Sequence, residues 1–209
     1  MIAGCLLLAG QHLQQLGVGM QQLLKISNSL GFFVQRVGYV AAWAALALVA
    51  VIIFDVIGRH FFATGSSKLQ ELEWHLHTIL FMGCLGLGYI HDTHVRIDIV
   101  REKLGRRTQC WIEIVGCVLF LIPFCLIIMY YGFELAHRSW LSNEISSSAT
   151  GLPYRWIIKS TIPLGMSILL LAAISILLRS IVKLFRPDLI HSDTIEVQQN
   201  GTPSITTIS

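Results

Sequence analysis

Two sets of residues in this 209-residue chain have the types and spacing for chemistry, and the first is its histidines. His60, His75, His77 and His137 fall near one set of ends of long apolar runs, and His91 and His94 near the other. Imidazoles on facing helices of a membrane four-helix bundle ligate haem, as in quinone-linked cytochrome anchors. A haem-bearing or quinone-linked anchor of an electron-transfer complex is therefore one functional reading. The competing reading is packing at the membrane interface, where amphipathic side chains prefer to sit, and nothing in the spacing forces the histidines into facing pairs. The second set surrounds Glu144, the only acid between Glu134 and Asp188, with Lys159, Arg138 and Arg155 as candidate partners. A salt-bridged loop anchored by Trp140 and Trp156 is favoured over a substrate site here. Cys5, Cys84, Cys110, Cys117 and Cys125 lie within or beside apolar runs without CxxC spacing, which points to neither a disulfide framework nor a zinc site. No catalytic residue, metal site or cofactor site is expected.

Composition indicates what positions these residues. Of the chain, 54% is hydrophobic and 13% charged, against roughly a quarter charged in soluble domains. This predicts a protein embedded in a lipid bilayer. The net charge of +3 is modest, and no soluble segment interleaves basic residues with stacking aromatics, so nucleic acid is not an expected partner.

Four runs lack Asp, Glu, Lys and Arg: 18 residues between Arg36 and Asp55, 18 between Glu73 and Asp92, 20 between Glu113 and Glu134, and 19 between Lys159 and Arg179. At 1.5 Å per residue each covers about 27 to 30 Å, the thickness of a hydrocarbon core. The expected fold is an all-α integral membrane protein with four transmembrane helices near 37–57, 72–91, 111–134 and 157–180, plus short interfacial helices. These make a membrane domain over 30–186. Residues 1–29 form an N-terminal extension whose Leu13, Leu16, Met20 and Leu23 recur near helical spacing; an interfacial amphipathic helix, a frayed extension and an overlong start all fit. Residues 187–209 read as a disordered cytoplasmic tail after Pro187.

Lysine and arginine set the orientation. One side collects ten, including Lys25, Arg36, Arg96, Arg101, Arg106, Arg107, Arg179 and Lys183, and the other five, Arg59, Lys68, Arg138, Arg155 and Lys159. The positive-inside rule then puts both termini in the cytoplasm, together with the charged island Asp92 to Arg107. Within that island Ile97, Val100 and Leu104 have helical spacing, Asp98 lies early and the arginines late, so a short amphipathic helix on anionic headgroups is expected, with a solvated loop as the alternative. Ala41, Ala44 and Ala45 in the first span, and Gly83, Gly86 and Gly88 in the second, suit close helix contact, within this chain or with a partner. Trp74, Trp140, Tyr154 and Trp156 cluster as an interfacial aromatic belt. Pro123 and Pro163 stand where spans three and four would kink.

A transporter that works alone usually has ionisable residues inside its spans, interrupted helices and an internal repeat. The four runs hold no acid or base except histidine, and the halves show no duplication. The bundle is not expected to form a complete translocation path.

Several ordered motifs then resemble one family. The first span ends Phe54-Asp55-Val56-Ile57-Gly58-Arg59-His60-Phe61, similar to an Arg-Tyr-x-Phe ending with His60 in place of tyrosine. The second opens Leu69-Gln70-Glu71-Leu72-Glu73-Trp74, and His94-Val95-Arg96-Ile97-Asp98 looks like a His-Val-Arg-Val-Asp element. Ser139-Trp140, Glu144, Ser146, Gly151-Leu152-Pro153, Ile158-Lys159 and Ile162-Pro163-Leu164-Gly165 complete the set. Over roughly Leu30 to Leu184 the chain resembles the small, DctQ-like membrane subunit of tripartite ATP-independent periplasmic (TRAP) transporters, and within them the mannitol and chloroaromatic branch. The resemblance implies a non-catalytic subunit of the bacterial cytoplasmic membrane that scaffolds a large membrane subunit. That partner would carry an organic acid or related solute with sodium, delivered by an extracytoplasmic solute-binding protein. It also implies structural or interface roles for Arg59, Glu71, His94, Arg96, Asp98, Trp140, Glu144, Gly151, Pro153, Lys159 and Pro163. The orientation has a direct test: a membrane-impermeant thiol reagent added outside is expected to label cysteines introduced in Ser142 to Thr150 and not those in Glu102 to Arg107. The reverse pattern would overturn it.

Overall fold

The computed structural model describes residues 2–62, 66–91, 105–146 and 153–185, with the side chains among them except those of 2–18, 62 and 106. Every element among the described residues is helical: α1 (Ile2–Phe62), α2 (Ser67–Ile90), α3 (Arg106–Gly116), α4 (Ile122–Leu141) and α5 (Arg155–Phe185). A π-helical turn, Cys117–Leu121, joins α3 to α4. Most of the charged island, 92–104, with His94, Arg96 and Asp98, lies outside the described residues, as do Gly151 and the tail 187–209.

α1 runs 61 residues, about 90 Å, without a break through the boundary expected near residue 29. Its early part is packed: Leu24 meets Val182, and Ser27 and Ser175 exchange hydrogen bonds, each Oγ donating to the other's carbonyl at 2.8 Å. Both serines are buried, so each hydroxyl is satisfied away from water. The π turn comes just before Pro123, the second residue of α4. Proline has no amide hydrogen to donate, and a local change to wider hydrogen bonding accommodates such a break in the ladder.

α5 is the central helix. It packs against α1, α2, α3 and α4, whereas α4 scarcely meets α1 or α2. Gly165, Met166, Leu169, Ala172, Ala173 and Val182 form much of its buried surface, at spacings that turn one broad stripe inward. Between membrane helices lipid competes as an apolar solvent, so association depends on close van der Waals fit and interhelical hydrogen bonds more than on expulsion of water. The fit is made at glycines. A Cβ on Gly83 would lie 2.4 Å from the Ala41 Cβ, one on Gly86 2.8 Å from both Val34 and Ile168, and one on Gly165 2.7 Å from the Met82 Cβ. Ala41, Gly83 and Gly86 therefore serve contacts inside this chain. The large apolar side chains point the other way: Val40, Trp43 and Leu46 on α1, Phe120 in the π turn, and Phe124 and Ile127 on α4 are exposed.

Three helical stretches are long and apolar enough to cross a membrane, Gly19–Phe61, Arg107–Leu141 and Arg155–Phe185. α2 has the length but carries Glu73, His75, His77 and Thr78 in its first half, which lowers its apolarity. The described elements are thus all helical, with three helical stretches fit to cross a membrane, which is compatible with an all-α membrane protein.

Two glycine substitutions separate packing from propensity. Gly165→Ala is expected to lower stability by about 1–3 kcal/mol, because the new methyl meets the Met82 backbone carbonyl as well as its side chain. Gly116→Ala has nothing within 4 Å to strike and should be neutral or stabilising by up to about 1 kcal/mol. Thermal unfolding in one detergent reads both, and a Gly165→Ala protein as stable as the parent would refute the packing argument.

Candidate functional site

The residues that form a site gather where α4 turns towards α5. The turn is built by the backbone. Asn143 has φ 45°, a left-handed conformation that asparagine tolerates better than most residues. Its amide donates to Trp140 O at 3.1 Å and that of Glu144 to Ser139 O at 3.1 Å, the paired bonds that close a helix in a Schellman motif. This geometry delivers Glu144 towards the first turns of α5. There the Lys159 ammonium donates to Glu144 Oε2, Arg155 Nη1 stands 4.0 Å from Oε1, and the Arg155 amide donates to Glu144 O at 3.4 Å. Lys159 holds the Glu144 carboxyl below the ordinary glutamate range. The nearby Ser139 side chain acts in the same direction, although its hydroxyl falls short of hydrogen-bond geometry.

Glu71, in the first turns of α2, accepts a hydrogen bond from Ser146 Oγ, so the connection is tied to two helices. Trp140 and Trp156 meet beside it, their ring centroids 4.6 Å apart and their planes tilted by 52°. Pro153 is exposed just before α5, and Pro163 lies inside α5, where Gly132 of α4 leaves room for its ring: a Cβ there would be 3.2 Å from Pro163 Cδ. Arg59 stands apart from this cluster; its Nε donates to Asp55 Oδ2 at 2.7 Å. Asp55 is only 5% exposed, and its Oδ1 has no hydrogen-bond partner among the described residues. Sequence reasoning singled out Arg59 but not this pairing, although the i, i+4 spacing of Asp and Arg is a legible signal.

The structure thus brings together Glu71, Trp140, Glu144 and Lys159, with Pro153 and Pro163 flanking them, and leaves Arg59 elsewhere. Sequence reasoning also missed a polar contact near the far end of the bundle. Ser180 Oγ donates to Glu113 Oε2 at 2.9 Å beside the buried Arg179. Among the described histidines, His75 Nδ1 lies 2.5 Å from its own helix's Glu71 O, His60 contacts Phe61 edge-on, and His137 stacks on Phe133. His75 is thus engaged by its own helix, and the other two make ring contacts with a phenylalanine of their own helix. Among the described residues no group of three or more His, Cys, Asp or Glu side chains is placed to hold a metal ion.

A family model described as tripartite ATP-independent periplasmic transporters, DctQ component, matches residues 48–183. The chain belongs to this family. The match runs from within α1 through nearly all of α5, and so covers the Glu144 cluster. No curated protein matches the chain. As a DctQ component it is an integral membrane constituent of a transport system, which agrees with its apolar helices.

The ion pair has a defined pH signature. Because the Glu144 carboxyl is depressed, its ordering of the loop is fully present above the ordinary glutamate range and is lost as pH falls through its lowered value. Glu144→Gln should raise the rate of limited proteolysis in the 142–154 connection by roughly two- to fivefold at neutral pH, as loss of a partly exposed pair implies. Wild type should show that rise only in acid, and the variant should lack the acid step. Equal rates at neutral pH would remove the loop-ordering role.

Proposed function

We propose that this DctQ component is the small, non-catalytic subunit of a TRAP-type transporter of the bacterial cytoplasmic membrane. α1, α2, the α3–α4 rod and α5 make four spans, with both termini in the cytoplasm. The subunit scaffolds a large membrane subunit that carries an organic acid or related solute with sodium. The Glu144 connection faces outward and, with Glu71, Trp140 and Lys159, helps dock an extracytoplasmic solute-binding protein. The mannitol and chloroaromatic branch is the preferred assignment within the family.

The family match over 48–183 carries this reading. Support for α2 as a span comes from its packing between α1 and α5, which screens part of a helix less apolar than its neighbours. Support for an accessory role comes from the buried charged residues, Asp55 and Arg179, which lie near opposite ends of the bundle instead of lining an internal path. Since Gly83 and Gly86 are filled from within, the partner surface is assigned to the broad apolar faces of α1 and α4. The haem-anchor reading has no support from the local contacts of His60, His75 and His137.

The test is co-purification in mild detergent with the large permease subunit produced alongside it. A stable complex is expected, with the chain alone aggregating or being degraded. A monodisperse, equally long-lived isolated chain that ignores the permease would overturn the scaffold role. A Soret band in the purified chain would revive the haem reading.

A further inference from the structure

We infer that the large membrane subunit meets this chain at the π turn Cys117–Leu121, where a side-chain hydroxyl or amide on one of its membrane helices donates to the backbone carbonyl of Val118. This rests on the scaffold role proposed above and goes beyond it by naming the contact point and its chemistry. The Val118 carbonyl lacks both regular helix donors. The amide four residues on, that of Ile122, donates to Cys117 O instead, and the residue five on is Pro123, which has no amide hydrogen. Among the described residues no side chain donates to it either.

The inner side of the turn is set by this chain. Glu113 meets Ser180, Cys117 Sγ donates to Ala173 O at 3.5 Å, and Cys125 packs with Met166 and Leu169, so all three face α5. At about 100° per residue an unbroken α-helix would carry Cys125 roughly 120° past the Glu113 face. The wider turn takes up that excess. A chain one residue shorter here would keep the same face on α5 with ordinary helical bonding, so internal packing asks for neither the surplus residue nor the proline. The outer side is open: Val118, Leu119 and Phe120 are exposed, and Phe124 and Ile127 continue the surface on α4.

Depth and chemistry select the occupant. Val118 lies within the uncharged run between Glu113 and Glu134, about 7 Å from its Glu113 end and about 24 Å from the other. A soluble binding protein does not reach that depth. Acyl chains do, but they carry no donor, and a backbone acceptor left without one in hydrocarbon is costly. Carbonyls freed by proline in membrane helices are satisfied by polar side chains of neighbouring helices, the same groups that hold such helices together. Of the partners proposed above, only the large subunit has helices in the bilayer.

The experiment uses the two membrane subunits produced together. With p-benzoylphenylalanine at Leu119 in intact cells, ultraviolet light should join this chain to the large subunit, identified by mass spectrometry. Pro123→Ala supplies an amide five residues after Val118, which closes the bond within this chain and competes with the partner's donor. In detergent the variant complex should fall apart at a protein concentration roughly fivefold or more above that of wild type, the size expected when a buried donor loses its acceptor. An ester in place of the amide at 123, made by inserting lactic acid through nonsense suppression, lacks the donor as proline does and should stay near wild type. Absence of the large-subunit adduct would overturn the inference, whether lipid, a second copy of this chain or the binding protein is found in its place. So would a Pro123→Ala complex as tight as wild type, or equal weakening by the alanine and ester variants. Wild-type subunits that fail to co-purify at all would instead sink the scaffold role, a separate outcome.

Discussion

Backbone approach at small residues is the constraint on which the bundle depends. α2 reaches α1 through Gly83 against Ala41 and reaches α5 through Gly86 against Ile168, while α5 answers with Gly165 against Met82. At each point the distance to a notional Cβ is below ordinary contact, so a side chain there would push the helices apart. In lipid such separation is not offset by apolar burial elsewhere, since acyl chains fill the gap equally well. The interhelical hydrogen bonds depend on the same proximity. Ser27 can meet Ser175, and Ser180 can meet Glu113, only while α1 and α3 remain against α5.

The end of the bundle near Glu144 follows a different rule. There the backbone leaves the helix, and amides and carbonyls lose the pairing that hydrocarbon requires. The α4 terminus solves this with its own Schellman bonds. Charges come in matched sets, Glu144 with Lys159 and Arg155, Glu134 with Arg138, and Asp55 with Arg59. The exposed pairs among them contribute little to stability. The consequence of the Glu144 contacts is geometric, because with Ser146 on Glu71 they tie the segment after α4 to α5 and α2; the other two pairs each lie within a single helix.

Much of this was legible in the sequence, for reasons that differ by feature. The charge-poor runs report helices because lipid tolerates few exceptions, and three emerged as long, apolar helical stretches. α2 is the helix whose composition underdetermines its role: its histidines and Glu73 dilute a run whose helical form comes from both local sequence and packing. Glu144 had three candidate partners in the sequence because few acids compete there; Lys159 and Arg155 face it, whereas Arg138 pairs with Glu134. The Glu71–Ser146 contact could not be read, since residues 75 positions apart leave no periodic trace. The same holds for the serine exchange between α1 and α5, which made residues near 27 part of the packed bundle, where composition suggested an appended segment. The exposed ring of Tyr154 was read as a belt aromatic; its positive φ has no signature in a residue that normally avoids it.

The α1–α5 packing also constrains how the bundle meets a bilayer. Leu24 lies against Val182 and Ser27 against Ser175. Following that antiparallel register along both helices brings Arg36 level with the stretch from Met166 to Leu170, near the middle of the α5 run that lacks charge. Yet the uncharged run of α1 begins only at Val37. The apolar belts of the two helices are therefore staggered along their shared axis, and an upright bundle would either strand part of one belt in water or draw Arg36 deep into hydrocarbon. The uncharged run of α5 itself matches the hydrocarbon thickness, so the stagger falls on the α1 side, at Arg36. Arg36 is fitted to that stagger: its guanidinium lies 5.2 Å from the centre of the Phe32 ring, one turn nearer the N-terminus, so the side chain runs along α1 away from the apolar belt. A guanidinium covered by an aromatic face on that path is less costly than a bare cation at the same depth, and it marks where the α1 belt gives way to the membrane surface.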